Sequence, residues 1–162
     1  MALKQILSPD EVGELAPHWH ELDKAKLDRI RTRSTRRVKL HGQHKSGEVL
    51  DVAPILYYAR PHTMDRPTIL NGKHRAAISF MRGVSLLAIQ IATAAEIRHH
   101  VKLECLGDLT AEDLEELIDD RQKYLSIVDQ NGTPTIRALV EKNRHLFING
   151  LLAERSIIIR PS

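Results

Sequence analysis

A single cysteine, Cys105, leaves this chain without the means to close an intrachain disulfide, a zinc ribbon or a dithiol redox motif. That usage points to a reducing compartment, and the expected location is cytoplasmic. Aromatic residues make up 4% of the sequence, too few beside its basic residues for a surface that stacks single-stranded bases. No apolar run approaches the roughly 20 residues that cross a bilayer, and "MALKQILSPDEV" has no signal pattern, so no membrane partner is expected. Neither phosphate-cradling glycine motif is present: there is no Gly-x-Gly-x-x-Gly and no glycine loop ending in Gly-Lys-Ser/Thr. Charge of one sign is also missing locally. Residues 29–45 contain no acid, and residues 104–120 contain no lysine or arginine.

What is present fits one domain: 162 residues, 42% of them hydrophobic, with a formal net charge of +3. Residues 1–45 read as a helical, basic N-terminal region, 46–106 as the core and 107–162 as a C-terminal helical hairpin followed by a terminal strand in "RSIIIRP". "SPDE" at Ser8 starts a helix, with Ser8 and Glu11 able to form a capping box and Pro9 suited to the first turn. Pro17 ends or bends it, and a second helix follows from about His18 to Arg31. "HKSGEVLDV" is a turn leading to a strand.

"PILYYAR" and "TILN" read as strands around a "PHTMDRP" turn, and "SLLAIQIA" as a strand buried on both faces. Between the last two lies a helix from about Lys73 to Arg82, stopped by Gly83. Together they predict a compact βαβ unit with a right-handed crossover in a small mixed sheet, an α/β (α+β) fold. Thr93 caps a short helix, and Thr110 with Asp113 caps a longer one. Thr133 and Pro134 start a last helix whose Ile136, Leu139, Val140 and Phe147 share a face. The two longer helices are expected to form a hairpin that packs on the core or on a second copy of the chain as a homodimer.

The stretch "LNGKHRAAISFMRG" carries the chemistry. Gly72 stands where a strand stops and a helix starts, followed by Lys73, His74 and Arg75. Unpaired N–H groups and the positive end of the macrodipole favour acids there, so crowded cations mark an anion site. Lys73 supplies a mobile charge, Arg75 a planar fork for two phosphate oxygens, and His74 a donor whose charge depends on pH.

From about Val52 to Leu106 these residues resemble the ParB/sulfiredoxin superfamily of nucleotide-binding domains. "VAPILYY" is similar to that family's first core strand, "TILNGKHRAAISFMRG" to its Gly-x-His-Arg turn and alanine-rich helix, and "LLAIQIATAAEIRHH" to the strand and helix that follow. The resemblance implies that Gly72, Lys73, His74 and Arg75, with Asn71 beside them, bind the phosphates of ATP or CTP together with Mg²⁺. Lys73 stands where a sulfiredoxin carries its catalytic cysteine, which excludes a sulfinic-acid reductase.

The leading expectation is an NTPase or DNA nuclease, in which Lys73 and Arg75 neutralise developing charge and His74 donates or shuttles a proton. Glu48 is the candidate to orient Mg²⁺ or a water, and Asp65 the other carboxylate that a small-molecule kinase could use. The rival is a partition-type DNA-binding adaptor that nucleotide only switches. Arg31, Arg33, Arg36, Arg37 and Lys39, within segment 29–45, are its expected phosphate contacts with DNA. His41 with His44 offers a metal-ligand spacing, against a solvated loop. His18, His20, His99 and His100 need no role beyond surface or cap.

Overall fold

Ser8 accepts a hydrogen bond from the Glu11 N–H while the Glu11 carboxylate accepts one from the Ser8 N–H, the reciprocal cap its spacing predicts. The computed structural model describes residues 3–17, 21–40, 45–59, 66–93, 95–97, 110, 112–119 and 135–147. In chain order these form β1 (Leu3–Leu7), α1 (Pro9–Gly13), β2 (Ala16–Pro17), α2 (Lys24–Arg31), β3 (Thr35–Leu40) and β4 (Lys45–Leu50). Then come β5 (Ile55–Tyr58), β6 (Thr68–Asn71), α3 (Lys73–Arg82), β7 (Leu86–Ile91), α4 (Ile136–Lys142) and α5 (Arg144–Phe147). Residues 95–97 and 112–119 are also helical.

The main sheet is mixed, in the order β1-β7-β5-β6-β2, and β3 and β4 form a separate antiparallel pair. β5 runs parallel to β7 and antiparallel to β6, so β6 and β7 are antiparallel and β5 lies between them. The expected βαβ unit is thereby corrected. The local pattern shows strand, helix and strand in turn, but the preceding strand occupies the place between the two ends, a pairing that only tertiary contact decides. The α+β class itself holds.

Strand periodicity divides the core. Ile55 and Tyr57 of β5, Ile69 of β6 and Leu86 and Ala88 of β7 face one side, where Val12, Leu27, Ala76, Ala77, Ile136, Leu139 and Phe147 cover them. Leu56, Tyr58, Leu70 and Ile91 face the other, beneath Ile97, Leu114 and Ile118. Val38, Leu40 and Val49 of the β3–β4 pair close over Ile6 and Leu87. With both faces covered, β7 needs no polar alternation.

The helix carrying Leu114 and Ile118 therefore packs on the face opposite α4, and the expected hairpin of these two helices is not what the described residues form. Their apolar stripes meet different sides of the sheet. Thr110 and Asp113 do exchange capping bonds. The last helix is capped by Thr135, whose hydroxyl accepts from the Ala138 N–H; Thr133 and Pro134, expected to start it, lie outside the described residues, as does the expected terminal strand.

Pro17 pairs Ile69 in a two-residue edge strand, where a missing donor costs no ladder bond. The second helix begins at Lys24 behind an Asp23 cap, later than expected. Thr35–Leu40, expected within the solvated basic segment, is a strand, and Lys45, Ser46 and Gly47 belong to β4 instead of a turn. β1 is a strand with no expectation to match it; its Leu3–Leu7 register runs against Gln90–Leu86. Among the described residues no helix is long and apolar enough to cross a membrane.

Candidate functional site

Gly72 closes β6 and opens α3 in a left-handed conformation, φ 108° and ψ 25°. A β-carbon there would lie 2.5 Å from Ile55 Cγ2, 2.9 Å from Ile55 Cβ and 3.0 Å from Arg75 Nη2, so glycine is required for both conformation and space. No side chain caps α3, and its first turn has no acid. Ala76 and Ala77 are fully buried, which brings the helix close to the sheet.

α2 lies alongside, joined to α3 at both ends. The Asp23 N–H, at the N-cap of α2, donates to His74 Nε2 at 2.9 Å. Arg82, in the last turn of α3, donates through Nη1 to the carbonyl oxygens of Arg31 and Arg33, at the other end of α2. The two helices thus run parallel and bring their positive N-terminal ends together.

Helical spacing sorts the charges of α2. Lys24, Asp28 and Arg31 stand at i, i+4 and i+7 and pair with one another, Lys24 Nζ at 2.7 Å and Arg31 Nε at 3.4 Å from the Asp28 carboxylate. The Lys24 hydrogen bond in particular holds that carboxyl below its ordinary range. Lys26, Arg29 and Ile30, at i, i+3 and i+4, turn the other way. They face Asn71, Gly72, Lys73, His74 and Arg75 across a cleft of about 360 Å³. The pairing of Asp28 elsewhere leaves this lining without a described carboxylate.

Burial lowers the Lys73 amine from its ordinary range and the charge of Lys26 adds to the effect, while Glu21 opposes it. Burial likewise pushes His74 down to about 4, helped by the charges of Lys73, Lys26 and Arg29 and opposed by Asp23. The ring is neutral at neutral pH. Because Nε2 accepts from Asp23, its proton resides on Nδ1. At this position the ring accepts from the Asp23 N–H and links the two helices in its uncharged form.

Its linkage has a definite sign. The folded value lies below the unfolded one, so the unfolded chain binds the extra proton first and stability falls as pH drops from about 6.5 toward about 4. His74→Gln, whose amide oxygen can accept from Asp23 without titrating, should flatten that slope in urea midpoints compared at pH 7 and pH 4.5. An unchanged slope would remove His74 as its source.

Arg75 is engaged by the chain itself. Its Nη1 donates to the Ala53 oxygen at 2.7 Å and the Pro54 oxygen at 2.9 Å, fixing the segment before β5. This clamp commits Nη1 to the backbone, while Arg75 still lines the cleft.

Glu48 is not in the cleft. Its carboxylate accepts from Thr35 Oγ1 at 3.1 Å, and the β3–β4 register sets it opposite Arg37. Its expected role beside the nucleotide is therefore corrected. The five basic residues do not share one face either. Arg31 is partly buried at the end of α2, Arg33 Nε donates to the Asp51 oxygen, and Arg36 pairs with Asp51 at 3.2 Å. Arg37 and Lys39 are exposed on β3, with no ion pair among the described residues. His18, His20, His41, His44, Asp65, His99, His100 and Cys105 lie outside the described residues.

Lys26 is a site residue that sequence reasoning missed, and Arg29, expected within the basic segment 29–45, joins the cleft instead. Their signal was the i, i+3 spacing on a helix whose only acid pairs elsewhere. The cation set suits a chain of phosphates, whether of ATP or CTP. Among the described lining residues Asn71 offers Mg²⁺ an amide oxygen, and no carboxylate is present. Nor, among the described residues, is there a group of three or more His, Cys, Asp or Glu that could hold a metal.

No family model, curated protein or solved structure matches this chain.

Proposed function

We propose that this chain is a nucleotide-binding protein of the ParB/sulfiredoxin kind, holding the phosphates of ATP or CTP in the cleft between α2 and α3. The carrying observation is the convergence of Lys26, Arg29 and Lys73 on an uncapped, acid-free helix start, with no described carboxylate in the lining. Like charges held together cost free energy, and a polyphosphate removes that cost. The β6–Gly72–α3 turn that the resemblance singles out lies at the centre of this cleft.

The geometry favours holding the phosphates over cleaving them. Glu48 is engaged across the hairpin and His74 Nε2 is occupied, so an NTPase or nuclease would rely on Lys73 and the His74 N–H for charge stabilisation alone. A nucleotide-switched DNA adaptor is the reading of the basic segment that fits best, with Arg37 and Lys39 as its exposed phosphate contacts.

Calorimetry with ATP, CTP and inorganic tripolyphosphate, each with and without Mg²⁺, tests the cleft. Lys26→Ala should weaken binding about 10- to 100-fold, the worth of one charge-assisted contact. Unchanged affinity in that variant would remove the cleft as the site. Phosphate release that persists in wild type but not in Lys73→Ala would favour the hydrolase. Salt-sensitive DNA retention without turnover would favour the adaptor.

A further inference from the structure

Lys73 is half-buried, and among the described residues its amine makes neither a hydrogen bond nor an ion pair. Lys24, on the far side of α2, has Asp28, and the amine of Lys26 is exposed. A lysine half-enclosed beside other cations, with no carboxylate paired to its amine, is in the kind of environment that turns the side chain from a counter-ion toward a nucleophile.

We propose that Lys73 is a nucleophilic amine and that the cleft captures small phosphorylated aldehydes, with Lys26 and Arg29 holding the phosphate and Lys73 Nζ forming an imine with the carbonyl carbon. This rests on reading the cleft as a phosphate site. The groups facing Lys73 are Lys26 and Arg29 from α2, Glu21 ahead of it, and His74 and Arg75 on its own helix; burial and Lys26 lower the amine from its ordinary range against the opposing charge of Glu21. In the step, the Nζ lone pair attacks the carbonyl carbon and the C=O π pair moves to oxygen. That oxygen takes up the proton released from nitrogen. The carbinolamine C–O bond then breaks and its hydroxyl leaves as water with the proton that remained on nitrogen, as the nitrogen lone pair forms the C=N bond. Amine and aldehyde give imine and water, with no change in oxidation state. The incoming phosphate also neutralises the neighbouring cations, so capture relieves the crowding that primes the amine.

The probe is pyridoxal 5′-phosphate with the full chain, reduced by borohydride and mapped by peptide mass spectrometry. The expected result is one reduced adduct, at Lys73, lost in Lys73→Arg, suppressed by tripolyphosphate and diminished in Lys26→Ala. Pyridoxal without its phosphate should label Lys73 weakly. Labelling of Lys24, Lys26, Lys39 and Lys142 to the same extent as Lys73, or equal labelling by both aldehydes, would overturn the proposal. Nucleotide affinity is read separately by calorimetry. Nucleotide binding without a Lys73 adduct rejects imine capture alone, and an adduct without nucleotide binding rejects the nucleotide reading alone.

Discussion

Gly72→Ala is expected to lower the stability of the fold by about 4 kcal/mol. A β-carbon at φ 108° is strained by roughly 1–3 kcal/mol, and overpacking against a core that cannot yield adds about 1–3 kcal/mol. Ile55 is fully buried, and although its Cγ2 is nearer, the firmer constraint is its Cβ at 2.9 Å, which moves only with the β5 backbone. Urea denaturation measures the loss. Gly83→Ala is the internal control, since Gly83 is also left-handed, φ 67°, yet a β-carbon there would meet nothing within 4 Å. That variant should lose only about 1 kcal/mol, the cost of the backbone conformation. Similar losses at the two glycines would show that contact with Ile55 is not what sets the requirement.

Lys73→Glu is expected to separate stability from binding. It places an acid in the first turn of α3, beside Lys26 and under the positive end of the helix, where about 1 kcal/mol of stabilisation is usual. The same change puts negative charge where phosphate would sit, and tripolyphosphate affinity should fall more than about 100-fold. Urea midpoints and calorimetry on one preparation read both effects. A destabilised variant would mean that the packed stem of Lys73 outweighs its misplaced charge. Retained affinity would place the anion elsewhere. The native lysine would then be a residue kept against the preference of its helix, as is common at binding sites.

The parts of this fold that were legible in the sequence are those governed by neighbours in the chain. Ser8 with Glu11, Thr110 with Asp113, and Gly83 act through bonds spanning a few residues, and each behaves as its spacing requires. β5, β6, α3 and β7 follow from apolar runs and their punctuation. Strand order was not legible, because the position of β5 between β6 and β7 depends on pairings that no local pattern encodes. The β3–β4 pair was hidden by its exposed cations, which resemble a solvated segment although Leu40 and Val49 are buried. At the site, the turn at Gly72 could be read directly. Lys26 and Arg29 join it from more than 40 residues away, by a helix contact that only the fold makes.

The two bonds between α2 and α3 also act as a gauge of length. Asp23 to Arg31 and His74 to Arg82 both span eight residues, about 12 Å of helix, so the end contacts close in one axial register only. Sliding either helix by a single residue would break both at once. Removing one residue from α2 upstream of Lys26 would rotate Lys26 and Arg29 by about 100° relative to the Asp23 end, carrying them off the cleft while leaving the composition of the helix nearly unchanged. The spacing of charge along any bound phosphate chain is therefore set by matched helix lengths as much as by the charges themselves.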